Sequence, residues 1–508
     1  MYHPAHHARS TPDKPAIVMA DSGRSMSYAE LDARSNQIAH LFRRLGLKPQ
    51  AHIALLMENN FHFMQLIWGA QRSGLVFTAI GTQLKRDEVR YIVNNSDAAV
   101  VITSPRFSSL LDSVRAEGCD AQRFFVIDGE AAGYENWDAA VAAEPTTPIA
   151  NEEAGVQMLY SSGTTGQPKG VLPKRAPGLP IDAPSANMMG LGRFFRFDEH
   201  AVYLSTAPLY HGAPLTFAIM TGHFGGTVVI LEKFEPEKAL QAIENKGVTH
   251  VQCVPIMFVR LLDLPIETRQ RYSTTSLKVA FHSAAPCPVP IKRQMIQWWG
   301  AVISEYYAST EGAGFTALDT PQWLAHPGSV GKPFNCTLHI LDEEENEAAP
   351  GMPGTIYFSG PQATFQYYKE PDKTRGSYNA KGWATVGDIG YVDGEGYLYL
   401  TDRKSFMIIS GGVNIYPQEV ESLLLTHPKI ADVAVFGVPN REFGEEVKAV
   451  VQPKRWEDAG KLLEAELIGW CRERIANLKV PRSVDFERDL PRLENGKLYK
   501  RLLADRYK

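Results

Sequence analysis

From about residue 25 to residue 260, helix-like and strand-like patterns alternate, and this alternation restricts the fold more than any other feature of the chain. The stretch MSYAELDARSNQIAHLFRRLG repeats its apolar residues at helical spacing, with Ser27 placed to cap the helix. HIALLM, AAVVITS, RFFVID and GTVVIL are short β-rich apolar runs that fit buried strands. Strands that alternate with helices favour layered α/β architecture with largely parallel sheets. A chain of 508 residues also exceeds what one compact core normally organises, so at least two domains are expected.

The pattern changes in residues 335–402. CTLHILD, GTIYFSG and GYLYLTD are short strands divided by Gly, Pro, Asp and Asn, which predicts a small β-subdomain. After Arg403 comes a segment of about 100 residues, the size of a small domain. It carries a helix start at PQEVESLLL, strands at ADVAVFGV and EVKAVVQP, and a helix around KLLEAELIGWCRERIA. The predicted fold is therefore a large N-terminal domain of layered α/β subdomains with a small β-subdomain, followed by a small α+β domain. No Pro/Ser/Gly linker marks the boundary between the two domains, so composition does not fix it.

Composition removes several functional classes. A net charge of −5 gives no reason to expect a nucleic-acid partner, which would favour a concentrated basic face. No run approaches the length of a membrane span, and MYHPAHHARSTPDKP lacks the apolar stretch of a secretory signal. Cys119, Cys253, Cys287, Cys336 and Cys471 are scattered and form no CxxC pair, so free thiols in a reducing cytoplasmic setting are expected.

The strongest local motif is YSSGTTGQPKGV, Tyr160 to Val171. Ser161, Ser162, Thr164 and Thr165 surround Gly163, with Gly166, Lys169 and Gly170 following. Glycines let backbone N–H groups approach an anion, hydroxyls add donors, and a lysine supplies a mobile cation for outer phosphates. The order differs from a Walker A loop, which places its lysine directly before Ser or Thr. A polar surface loop is the ordinary reading of a Ser/Thr/Gly stretch, but the whole string resembles the phosphate-binding signature of the adenylate-forming superfamily. That superfamily includes acyl-CoA synthetases, aryl-CoA ligases, luciferases and peptide-synthetase adenylation domains. Further motifs follow in the family's order: SAAPC at Ser283–Cys287, YYASTEG at Tyr306–Gly312, GDIGYVDGEGYLYLTDRK, SGGVNIYPQEVE and PRLENGKLYKR. Ala308 replaces the usual glycine, and Leu493 stands where relatives commonly carry a hydroxyl residue.

The resemblance implies roles residue by residue. Tyr307 would stack on adenine beside Ala285 and Ala308, and Thr310 would hydrogen-bond the α-phosphate. Glu311 would be an oxygen ligand for Mg²⁺, since such ions take one or two carboxylates plus substrate phosphates. Asp388 would accept hydrogen bonds from the ribose hydroxyls, joined by Arg403. Lys497, near the C-terminus, would stabilise charge that grows at the α-phosphate and bridging oxygen as a carboxylate attacks. Tyr210 and His211 in PLYHGAP would border the acyl pocket and the thiol tunnel, with His211 in a catalytic role, orienting the carboxylate or gating the pantetheine; His282, Ser283, Ala284, Ala308, Ala313 and Gly314 would be further neighbours. A lone histidine or tyrosine is often only structural, so these assignments rest on motif position.

Two half-reactions in one site require the lysine to leave before a thiol arrives. The family rotates its small domain about one residue, which aligns with Ser405 here. The resemblance therefore implies a mobile α+β C-terminal domain and a division at 1–403 and 404–508, with Ser410, Gly411 and Gly412 facing the thiol tunnel after rotation. The expected activity is an ATP-dependent, Mg²⁺-requiring acid–coenzyme A ligase. Many of the expected pocket neighbours are small, which suggests a bulky or long apolar acid: fatty, aryl, terpenoid or steroid-like. One alternative is a stand-alone enzyme that loads the phosphopantetheine of a separate carrier protein. Another, of a different class, is a non-catalytic nucleotide sensor, although Lys169, Glu311 and Lys497 are all present. A homodimer is the default oligomer.

Overall fold

The structure is a computed structural model that describes residues 2–161, 167–173, 178–183, 186–361, 364–403, 406–410, 413–492 and 498–507. Of Ala186, Asn187, Asp402, Arg403 and Arg501 it describes the backbone. The expected helix runs Tyr28–Arg44. Ser27 is its N-cap, and a capping box joins Ser27 and Glu30 reciprocally. The β-rich runs become the strands His52–Leu56, Ala98–Thr103, Arg123–Val126 and Thr227–Ile230.

Among the described residues, these strands build two large sheets. The first has six strands, ordered Glu135–Asn136, Arg123–Val126, Ala98–Thr103, His52–Leu56, Val76–Ala79 and Val156–Gln157. Every pairing in it is parallel. The second has nine strands. Its central strands, Ile303–Ala308, Val279–His282, His250–Cys253, Val202–Ser205, Thr227–Ile230 and Pro15–Met19, are mutually parallel. Antiparallel strands close both of its edges.

The largest apolar cluster joins the two sheets through the helices Tyr28–Arg44, Phe63–Arg72 and Gly212–Phe224. Close packing there depends on small residues. A Cβ at Gly222 would lie 2.6 Å from the Trp68 ring, and one at Gly69 would lie 2.3 Å from Ile38. The opposite face of the nine-stranded sheet is covered by the helices Pro236–Asn245, Pro255–Leu262 and Val289–Trp299.

The expected β-subdomain is a four-stranded antiparallel sheet of Thr337–Leu341, Gly354–Ser359, Asp388–Val392 and Leu398–Arg403. The small C-terminal domain forms a separate five-stranded sheet that begins at Ile408–Ser410 and packs against the helices Pro417–Leu424 and Lys461–Arg472. Leu398–Arg403 is the last strand of the first of these sheets and Ile408–Ser410 the first of the second, and residues 404–405 lie outside the described residues. Lys454 of the small domain pairs with Asp263 of the large one at 3.1 Å. No helix among the described residues is long and apolar enough to cross a membrane.

Candidate active site

Parallel strands bring their carboxyl ends to one edge of a sheet, and in open α/β sheets ligands bind at that edge. Val202–Ser205 runs toward PLYHGAP, Val279–His282 into SAAPC, and Ile303–Ala308 into the STEG segment. Three motifs that are distant in sequence therefore emerge along one side of the nine-stranded sheet.

The segment expected to bind phosphate closes an antiparallel hairpin. Leu159–Ser161 pairs with Lys169–Val171, and Ser161 lies opposite Lys169. Ser162, Gly163, Thr164, Thr165 and Gly166 lie outside the described residues. The base of the hairpin is fixed by Tyr160, whose hydroxyl donates to Asn95 Oδ1 at 2.6 Å. Gly170 allows this arrangement, because a Cβ there would sit 3.1 Å from the Tyr160 ring. Burial raises the Tyr160 phenol above its ordinary range, so it acts as a neutral donor.

Residues 366–368 lie along the outer strand of that hairpin. Tyr368 N–H donates to the Gly170 carbonyl at 2.7 Å, and Val171 bridges Tyr367. Tyr368 and Lys369 are held in turn by Asp97, at 2.7 and 2.6 Å. This backbone course sets Tyr367 between two expected site residues. Lys169 Nζ stands 4.9 Å from the Tyr367 ring centroid, and the Tyr367 hydroxyl donates to Glu311 Oε1 at 3.0 Å. Lys169 and Glu311, 142 positions apart by subtraction (311 − 169), thus meet on one tyrosine. Sequence reasoning missed Tyr367, and the only local signal was a pair of adjacent tyrosines between β-subdomain strands.

A second contact joins the large sheet to the β-subdomain. Tyr307 donates to Asp388 Oδ2 at 2.6 Å, and Asp388 is the cross-strand neighbour of Arg403. Asp388 is buried while Tyr307 is half-buried; Ala308 and Thr310 are exposed at the same strand end. In SAAPC, Ser283 is buried, Ala284 is exposed and Ala285 is half-buried. Ala284 adopts φ +74°, a left-handed conformation unusual for a residue with a Cβ.

Tyr210 is buried and donates to Gln83 Oε1 at 2.7 Å. His211 immediately precedes the helix Gly212–Phe224, its ring 4.5 Å from that of Tyr210. Gly212 packs against Leu159, where a Cβ would fall 2.9 Å from Leu159 Cδ1. PLYHGAP therefore abuts the base of the hairpin.

Other expected pocket residues are placed differently. His282 is fully buried and packs edge-on against Phe258, with Nε2 3.5 Å from Glu305. Ala313 belongs to the core of the β-subdomain. Gly314 packs against Phe358, whose ring occupies the space a Cβ would need, at 2.1 Å. Ser410 pairs with Val413 and Gly444 in the small domain. Gly411, Gly412, Ser405 and Lys497 lie outside the described residues.

Glu311 suits the metal expected there. Its hydrogen-bond partner is a neutral phenol, which orients the carboxylate without cancelling its charge. A separate His62, Asp128 and Asp138 cluster also has metal-ligand atoms close together, but Arg34 already binds Asp138 at 2.7 Å.

Residues 4–368 match the AMP-binding enzyme family, and residues 419–497 match the AMP-binding enzyme C-terminal domain. The chain is 31% identical over 500 residues to a feruloyl-CoA synthase from an Amycolatopsis species, covering 98% of this chain and 96% of the relative. It is 28% identical, over 98% of this chain and 97% of the relative, to the long-chain-fatty-acid–CoA ligase FadD13 of Mycobacterium tuberculosis. Among solved structures, the o-succinylbenzoate CoA synthetase of Bacillus subtilis, in complex with its acyl-adenylate intermediate, is similar with a TM-score of 0.82 and 25% identity. That match covers 98% of this chain and 97% of the synthetase.

Proposed function

The chain belongs to the AMP-binding enzyme family, and from that premise we propose how its residues divide the work of an AMP-forming acid–coenzyme A ligase. The reaction has two halves. A carboxylate oxygen attacks the α-phosphorus of ATP, the bond to pyrophosphate breaks, and an acyl-adenylate forms. The sulfur of coenzyme A then attacks the acyl carbon, the bond to AMP breaks, and the thiol proton is released.

In the first half, Tyr307 offers a flat apolar face to adenine while Asp388 and Arg403 receive the ribose. The Tyr307–Asp388 hydrogen bond supports this division, because it holds the base and sugar positions in fixed relation. The hairpin loop and Lys169 take the phosphates, with Thr310 at the α-phosphate. Glu311 would hold Mg²⁺, which when bound neutralises the charge of the phosphate oxygens. Lys497 is assigned to the α-phosphate in this step. For the second half, the division of the chain at 403/404 and a pivot at Ser405 would carry Lys497 away and bring Ser410, Gly411 and Gly412 to the thiol path.

The acid is assigned as bulky or long and apolar, in the fatty, aryl, terpenoid or steroid-like range. Feruloyl and long-chain fatty acyl relatives support this range. Tyr210, His211, Ser283, Ala284 and Ala308 are the residues assigned to it. A cytoplasmic setting and a homodimer complete the reading, and five free cysteines support a reducing compartment.

The observation that carries the assignment of residues is the meeting of Lys169 and Glu311 on Tyr367. Acid-dependent exchange of pyrophosphate into ATP, followed by thioester release with coenzyme A, is the test. Exchange with aryl or long-chain acids and loss of exchange in Glu311→Gln are expected. Absence of exchange across a broad acid panel would sink the assignment, and a preference for acetate would sink the substrate class.

A further inference from the structure

Behind the proposed nucleotide site lies a buried charge cluster that no step above uses. Lys292 Nζ is 2.6 Å from Glu305 Oε2, and both residues are buried. Lys292 also faces the Trp323 ring, 4.7 Å from its centroid. His282 lies directly across the sheet from Glu305, and neither of its ring nitrogens has a hydrogen-bond partner among the described residues. Burial and the neighbouring Lys292 push His282 well below its ordinary value, so its ring is neutral.

A buried ion pair is weak evidence for stability, because well-packed apolar residues often replace one at no cost. What such a pair supplies is a directional link of fixed length. Each member here belongs to an element that frames the nucleotide. Glu305 is two residues before Tyr307 on the same strand, and so on the same face. His282 ends the strand that feeds SAAPC. Lys292 lies in the first turn of the helix Val289–Trp299, which begins immediately after SAAPC. The link therefore joins the exit of that loop to the strand that carries Tyr307. The loop between holds Ala284 at φ +74°, a conformation that persists only where its surroundings enforce it.

We propose that Lys292 and Glu305 are positioning residues for ATP, setting the gap between the SAAPC loop and Tyr307 so that the two form one slot for adenine. The proposal rests on the assignment of Tyr307 to adenine. Loss of the pair should weaken ATP more than the acid, because the acid shares Ser283, Ala284 and Ala308 with this slot but is also assigned to Tyr210 and His211, which lie outside it.

The test compares the full-length wild type with Lys292→Met/Glu305→Leu, which replaces the charges by apolar groups of similar size, and with Glu305→Asp, which keeps both charges on a shorter arm. Calorimetric ATP binding and the KM values for ATP and acid in pyrophosphate exchange are read beside the melting temperature. In the double variant we expect a Kd for ATP raised about tenfold, a melting temperature near wild type and an acid KM within about twofold. Glu305→Asp should show a smaller rise, of about threefold, and it carries the test if the double variant does not fold. An unchanged Kd for ATP in whichever of the two folds, or equal rises in both KM values, would overturn the proposal. A wild type that binds ATP but exchanges no pyrophosphate would sink the ligase reading while leaving this comparison of Kd values intact. A wild type that binds no ATP would overturn both.

Discussion

Tyr367 stands between Lys169 and Glu311, the cation and the carboxylate proposed for the phosphate end of the candidate site. Its ring faces Lys169 and its hydroxyl reaches Glu311. Tyr367→Phe keeps the ring and removes the donor, so the carboxylate loses its orientation but not its charge. One such hydrogen bond contributes about 1 kcal/mol, or about fivefold in an equilibrium constant. The Mg²⁺ concentration that half-saturates pyrophosphate exchange should therefore rise about fivefold with little change in melting temperature. An unchanged Mg²⁺ dependence would remove Tyr367 from the site. Glu311 and Lys169 were legible as single residues because each lies inside a recognisable string. Tyr367 lies in none; only the bridge between Val171 and Tyr367 reveals it.

At the scale of elements, local physics did much of the specifying. Ser27 and Glu30 announce the start of Tyr28–Arg44 before any tertiary contact is considered, and each satisfies a backbone N–H of the other. Ser27→Ala should cost about 1 kcal/mol, seen as a lower denaturant midpoint with an unchanged slope. A midpoint equal to wild type would mean that packing of Tyr28 and Leu31, both buried, already determines the helix start. Strand runs such as AAVVITS were equally legible, since burial on both faces demands continuous apolar residues. The short strands Leu159–Ser161 and Lys169–Val171 were not, because three residues carry too little periodic signal. Leu159–Ser161 and Lys169–Val171 are strands by virtue of each other and of residues 366–368.

For the whole molecule, the buried histidines tie stability to pH. His223 and His250 are both buried, and burial pushes each down to about 4. In the unfolded chain a histidine takes up a proton near about 6.5. Between these values the unfolded state binds more protons, so stability held above about pH 6.5 is lost as pH falls toward 4. Each histidine should remove about 1.4 kcal/mol on going from about pH 7.5 to about 5.5. The melting temperature should fall across that window, and His250→Gln should shrink the fall. A fall of equal size in that variant would assign the acid sensitivity to other groups.

The sequence by itself determined the class of fold, the order of the motifs and the residue types that each motif offers for binding a nucleotide. Those are local properties: hydrophobic period, capping residues, and strings in which several chemical groups must occur together. The tertiary structure alone decided which of those residues meet. It brought Tyr307 to Asp388 and Lys169 to Glu311, set His282 beside a buried Lys292–Glu305 pair, and filled the space beside Gly314 with Phe358. Such contacts join residues tens to hundreds of positions apart. They depend on sheet order and on the shared direction of parallel strands, which no short window of sequence contains.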